Sequence, residues 1–343
     1  MSLLKARCGS IVAIIVMYVV VVAPASPADY RAWVFATFDD TPEGLAVDAT
    51  GNIYTALFHS GKIMKVTPDG KKELVAVVPS EKDARKGETV GIDLDKDGNI
   101  YVAYKQNSPK YETTNMSDPL HAACRDATVT LSGVYKIDAR TRRVTPLATR
   151  ADGWAFCFPD DVEIDSRGNV YLSDLTYAGI WKISPDGKRV EMWSSHPLLN
   201  WSPTPYSGFP LGVNVLVMDK EEKNIYAATD GDPMILKIPI KLDGSAGEPI
   251  VISRGHSPFD GIELDDRGNI YVSEILRNEI WVLSPDGSQR MLVANKRTAP
   301  LDNNTSLIWH KGMLCTANLG FSHFPKVEDA AKTIVCVSGF DRP

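Results

Sequence analysis

The sequence predicts an all-β fold, a six-bladed β-propeller with four strands in each blade. Three observations carry that prediction. First, one phrase recurs: apolar residues, an Asp-rich turn, Gly-Asn, an apolar residue and Tyr. It reads LAVDATGNIY at Leu45–Tyr54, IDLDKDGNIY at Ile92–Tyr101, VEIDSRGNVY at Val162–Tyr171, VLVMDKEEKNIY at Val215–Tyr226 and IELDDRGNIY at Ile262–Tyr271, with a worn sixth copy, SLIWHKGMLC, at Ser306–Cys315. Second, apolar alternation on both sides of a turn whose Gly tolerates positive φ specifies a β-hairpin. Third, another hairpin follows in several units, with Asp-Gly turns at Asp69-Gly70, Asp186-Gly187 and Asp286-Gly287. Two hairpins make four strands, and six such units in tandem specify a propeller.

The spacing of the repeats fits one domain. The Tyr-to-Tyr steps are close to the roughly 40–50 residues of a four-stranded blade, except between Tyr101 and Tyr171, where an insertion is expected. The last repeat supplies only three strands, Leu307–His310, Met313–Ala317 and Thr333–Ser338. A spare strand, Trp33–Phe38, precedes the first blade. Pairing the spare strand onto the last blade closes the ring and removes its open edge. The domain is therefore expected over residues 29–343.

Residues 1–28 are expected to be a signal peptide. Lys5 and Arg7 precede the apolar run Ile11–Val22, and Ala23-Pro24-Ala25 and Ser26-Pro27-Ala28 offer small-residue cleavage sites. The run is short for a membrane span of about 20 apolar residues, so cleavage is favoured over an uncleaved anchor and the mature protein should be secreted or periplasmic. Cys124, Cys157, Cys315 and Cys336 then remain. An even number of cysteines in an exported chain suggests disulfides, and the expected pairs are Cys315–Cys336 and Cys124–Cys157. A composition of 44% hydrophobic and 23% charged residues is that of an ordinary globular protein. The net charge is −6 and no basic run is present, which argues against nucleic acid, whose phosphates require clustered Lys and Arg.

In a propeller the innermost strand of each blade starts at one face, here the top. The short Asp-Gly turns then lie at the bottom. The long, irregular segments Gln106–Ser132, Ser194–Leu211 and Asn318–Lys332 lie at the top, where function is expected. His59, His121, His196, His256 and His323 fall in top segments, without a metal-type His spacing. Asp93–Gly98 matches the first half of an EF-hand loop, but Tyr104 stands where the final Glu would be, so a hairpin turn is expected.

The residues at the start of the innermost strands should point into the channel. They include Glu43 in Pro42-Glu43-Gly44, Asp160 in Pro159-Asp160-Asp161, Asn214 in Gly212-Val213-Asn214 and Asp260 in Phe259-Asp260-Gly261. Together they form a ring of oxygen donors. Packed carboxylates repel one another and are costly to desolvate, and a divalent cation relieves both. Oxygen ligands that include a neutral amide suit Ca²⁺, with Mg²⁺, Mn²⁺ and Zn²⁺ as alternatives.

The four phrases PEGLAVD, PDDVEID, GVNVLV and FDGIELD, with the six repeats, resemble the gluconolactonase, senescence marker protein and luciferin-regenerating enzyme family, a relative of paraoxonase and diisopropyl fluorophosphatase. The resemblance covers about residues 30–340. It implies one metal held by Glu43, Asp160, Asn214 and Asp260, with Asp260 also the catalytic carboxylate, and hydrolysis of lactones or related esters. Two departures matter. Sugar-lactone members carry Arg two residues before the position of Asp160, where this chain has Phe158, and the Asp160 position is often Asn. Aromatic top segments, including Phe158, Trp201 and Phe259, point to a small-molecule substrate less polar than a sugar lactone. Asp161, His121 and His323 are the further residues expected at the substrate. The alternatives are a non-enzymatic NHL-like binding propeller and a strictosidine synthase-like enzyme or lyase.

Overall fold

The structure of the protein, a computed structural model, describes residues 30–107, 126–200, 211–324 and 326–340. Six separate four-stranded antiparallel sheets are arranged as a six-bladed propeller. The innermost strands are Pro42–Val47, Gly87–Leu94, Pro159–Ile164, Val213–Met218, Phe259–Leu264 and Asn304–His310. Each packs beside the innermost strand of the next blade, and the last packs beside the first. Among the described residues, no helix is long and apolar enough to cross a membrane.

The ring closes as the sequence implies. Arg31–Thr37 pairs antiparallel with Thr333–Ser338, so the start of the described chain completes the last blade. Cys315 and Cys336 face one another across adjacent strands of that blade and form a disulfide, with Cα atoms 4.0 Å apart. Cys157 is also disulfide-bonded; Cys124, its expected partner, lies outside the described residues, as do residues 1–28.

The repeated phrase is a bottom-face turn in which nearly every recurring letter has a task. In the first blade Asp48 accepts from the Thr50 and Asn52 amides, each at 2.9 Å, and from the Asn52 side chain at 2.7 Å. Gly51 takes a φ of 83°, which L side chains rarely adopt. The Tyr54 hydroxyl returns to Asp48 at 3.3 Å. Asp95 does the same for Asp97, Asn99 and Tyr101, so the EF-hand-like stretch is a hairpin turn. In the fourth blade Glu222 replaces the glycine at φ 52°, and its carboxylate accepts from the Ser166 amide and hydroxyl of the third blade.

Apolar side chains from facing sheets fill the spaces between blades. One such layer joins Tyr101, Phe156, Val162, Leu172 and Trp181, and another joins Val215, Tyr226, Phe259, Ile262 and Val272. These layers hold the inner strands rigidly around the channel, so the residues at the strand starts are fixed by the whole ring.

Candidate functional site

The innermost strands lose register with their partners where the candidate ligands sit. Pairing jumps from Pro42 to Leu45, from Pro159 to Val162, from Val213 to Leu216 and from Phe259 to Gly261. Glu43, Asp160, Asn214 and Asp260 lie in these breaks. A bulge leaves a residue unpaired and re-aims its side chain, which turns each donor toward the axis. Next to Asp260, a Cβ at Gly261 would lie 2.4 Å from the Thr305 carbonyl, so only glycine lets the fifth and sixth blades approach this closely.

The four residues line one cavity of about 110 Å³ at the top of the channel, with Asp230 as a fifth polar member. Glu43, Asp160, Asn214 and Asp230 are only 4–6% exposed, whereas Asp260 is half-buried and opens to the cavity. The Asn214 amide nitrogen donates to Asp230 at 3.0 Å. The rest of the lining is apolar and includes Phe58, Phe158, Leu175, Leu211, Pro258, Ile275, Leu276, Leu319 and Phe321.

Burial and mutual repulsion hold these acids far from their ordinary state. The Glu43 carboxyl is pushed well above the usual range, first by burial and then by Asp260, Asp160 and Asp161. Asp160 is raised by burial and then by Asp260, Asp161 and Asp230. Asp230 is raised by burial and by Asp260. Asp260 is pushed up to about 7 by burial and by Asp161, against an opposing hydrogen bond from Asn214. Two oxygens, Glu43 Oε2 and Asp230 Oδ1, are buried without a hydrogen-bond partner.

These observations fit a divalent cation. Orphaned carboxylate oxygens and a neutral amide around one cavity are a hard-cation donor set, and the cation's charge would remove the repulsion. Among the described residues, no three His, Cys, Asp or Glu side chains close into a preformed cage. The donors face a shared space, so a cation held there would keep room for water or substrate oxygens.

The chain is similar to several known proteins. A strictosidine synthase-like N-terminal family model matches residues 36–66. Lactonase drp35 of Staphylococcus aureus is 23% identical over 274 residues, covering 76% of this chain and 68% of the relative. The drp35 lactonase of Staphylococcus epidermidis is 22% identical over 270 residues, covering 76% and 67%. Among solved structures, a gluconolactonase from Xanthomonas campestris superposes with a TM-score of 0.62 at 12% identity, over 90% of this chain and 89% of its own. These likenesses show the six-bladed propeller fold and a distant sequence similarity to the drp35 lactonases. A virginiamycin B lyase from Staphylococcus aureus has the same fold at a TM-score of 0.55 and 11% identity, over 90% of this chain and 98% of its own.

The other expected residues of the chain are scattered more widely. Phe158 lines the cavity. Phe259 is fully buried in an inter-blade layer. Asp161 lies beneath the ring, where its carboxylate accepts from the Leu216 amide of the next blade at 2.9 Å. His323 follows Phe321 in a short 3₁₀ turn and pairs through Nε2 with Asp302 at 3.1 Å. His121 and Trp201 lie outside the described residues.

Sequence reasoning missed Asp230 and most of the apolar wall, although a signal was present. Phe58, Leu175, Asp230, Ile275 and Leu319 each stand one residue beyond the second strand of their blades, and all five line the cavity. They form a second ring above the first, and Asp230 is its single polar member.

Proposed function

We propose that this protein is an exported, metal-dependent hydrolase of lactones or related esters whose substrate is less polar than a sugar lactone. The observation that carries the reading is the cavity itself: an oxygen-donor floor with orphaned carboxylates beneath an apolar wall. The related lactonase and the gluconolactonase fold support the reaction class. Glu43, Asp160, Asn214 and Asp260 would hold the cation, with Ca²⁺ the best match to their hard oxygens. When bound, it would supply Lewis-acid polarisation of a carbonyl oxygen and stabilise the developing negative charge.

The chain's own residues do the rest. Phe58, Phe158, Ile275 and Leu319 receive the apolar body of the substrate and exclude water around the reacting carbonyl. Asp260 is the ring carboxylate most open to the cavity, so it takes the proton of an attacking water at its carboxylate oxygen, or attacks the carbonyl carbon itself. The hydrogen bond from Asn214 Nδ2 to Asp230 holds the amide in one orientation beside Asp260. The Cys315–Cys336 disulfide suits an oxidising compartment outside the cytosol.

The test is a panel of neutral aryl and alkyl lactones beside gluconolactone, assayed with and without chelator. Turnover of the apolar lactones, abolished by chelation and restored by Ca²⁺, is the expected result. Equal rates on gluconolactone would remove the apolar preference, and turnover that survives chelation would remove the metal.

A further inference from the structure

One acid of the cavity is left over once the cation's four donors are assigned. Asp230 stands one residue beyond the second strand of the fourth blade, Asn224–Thr229, in the ring it shares with Phe58, Leu175, Ile275 and Leu319. Its Oδ2 accepts from Asn214 Nδ2 at 3.0 Å, whereas its Oδ1 is buried without a hydrogen-bond partner. No Lys, Arg or His stands among the described residues that line the cavity, so none of them offers that oxygen a charged donor.

Asp230 is held firmly in place. Its amide donates to the Gly212 carbonyl at 3.0 Å, on the segment that leads into the strand of Asn214. Thr229 Oγ1 donates to the Asp232 carbonyl at 2.7 Å and accepts from the Met234 amide at 3.1 Å, which fixes the turn around Asp230. The Asn214 side chain also donates to Asp260. Its amide nitrogen thus serves two acids and cannot turn over without losing both. A buried acceptor with no donor is costly, and a ligand's O–H or N–H removes that cost.

Resting on the reading of this cavity as the substrate site, we propose that Asp230 is a specificity-determining residue whose Oδ1 accepts a hydrogen bond from a hydroxyl or N–H beside the reacting carbonyl. The substrate class is then an apolar lactone or ester that carries one such donor. Asp230 reaches the donor floor through Asn214, which places the group it binds next to the carbonyl. The other four members of its ring receive apolar groups only. A site that hydrogen-bonds a substrate hydroxyl rejects the analogue without it, because the buried acceptor stays unpaired. One such bond corresponds to about tenfold in affinity.

The experiment compares wild type with Asp230→Leu and Asp230→Asn in the presence of Ca²⁺, each checked for folding by circular dichroism. Two readouts are taken. One is kcat/KM for a phenyl-substituted butyrolactone with a hydroxyl on the carbon beside the carbonyl, set against its methoxy and unsubstituted forms. The other is calorimetric binding of phenacyl alcohol against its methyl ether and acetophenone, which requires no turnover. Wild type is expected to favour the hydroxyl form about tenfold over both others. Asp230→Leu abolishes that preference. In Asp230→Asn the side-chain oxygen must face Asn214, so its N–H turns to the cavity and the methoxy form rises to the level of the hydroxyl form. Equal ratios in wild type, or a preference that survives Asp230→Leu, would overturn the proposal. Loss of Ca²⁺ binding in Asp230→Asn, titrated before any ligand is added, would make Asp230 a cation ligand and overturn it as well. If Asp230→Leu does not fold, the methoxy ratio of Asp230→Asn decides. A preference for phenacyl alcohol without hydrolysis of any lactone would refute the hydrolase reading and leave the subsite standing. Hydrolysis with flat ratios would do the reverse.

Discussion

At the bottom face, Asp48 accepts two backbone amides, a hydroxyl and an amide side chain, each within 3 Å. These hydrogen bonds outweigh its partial burial and lower its pKa to about 2. At the top face, Asp260 shares a cavity with Glu43, Asp160 and Asp230, and burial with neighbouring charge pushes it up to about 7. The two residues belong to the same kind of repeat, a four-stranded blade of strand and turn built alike. What separates them is satisfaction: the bottom carboxylates complete a turn, whereas the top ones are left needing a partner. A carboxylate whose oxygens are all engaged is structural, and a buried one left with orphaned oxygens among other acids is a candidate ligand.

The sharpest way to break this contrast is at Asp260. Asp260→Asn should lower kcat by about 10³-fold or more, the scale of a lost general base or nucleophile, while circular dichroism and the melting profile of the metal-free protein stay near wild type. Retention of a tenth of the activity would remove Asp260 from the chemistry.

Metal removal should separate the two faces next, and the effect should depend on pH. For the top acids the folded pKa lies above the unfolded value of about 4. The folded state therefore binds more protons than the unfolded one between about pH 4 and 7, and metal-free stability falls as pH rises through that window. A bound cation offsets the loss. Chelation should lower the Tm by about 5–10 °C at pH 8 and by much less at pH 5, measured by scanning calorimetry. An equal shift at both pH values would contradict the assignment of the raised acids to the cation site.

The smallest expected effect is at the bottom. Asp48→Ala removes the turn's acceptor and should cost about 1–2 kcal/mol of stability, with kcat unchanged. For Asp48 the sign is reversed. Its folded pKa is depressed, so its contribution is complete above about pH 4 and is lost as pH falls toward 2. A urea titration at pH 7 and pH 2.5 should show a clearly smaller deficit of the variant at the lower pH.

Much of this was legible because a propeller repeats itself. The phrases around Tyr54, Tyr101, Tyr171, Tyr226 and Tyr271 mark the hairpins, and the ligand candidates stand 11 or 12 residues before four of these tyrosines. Asp230 and the apolar ring were harder to read, since no motif marks the residue after a second strand and only the closed ring shows that those positions converge. The channel acids were the least legible. Asp93, Glu163 and Glu263 occupy strand positions that would face solvent in an open sheet, yet ring closure buries them around a lower cavity of about 260 Å³. Asp93 accepts the Ile164 amide of the next blade at 3.1 Å, and Glu163 and Glu263 accept amides of Met218 and Trp309. These acids, with Asp161, stitch neighbouring blades together, a use that appears only once the blades meet.

The most direct test of the central claim is a calorimetric titration of Ca²⁺ into chelator-stripped protein at pH 8, repeated with Glu43→Gln. The account predicts binding at the top cavity, accompanied by proton release at lower pH, and its loss in the variant. Absence of binding by any divalent cation, or binding that Glu43→Gln leaves unchanged, would contradict it.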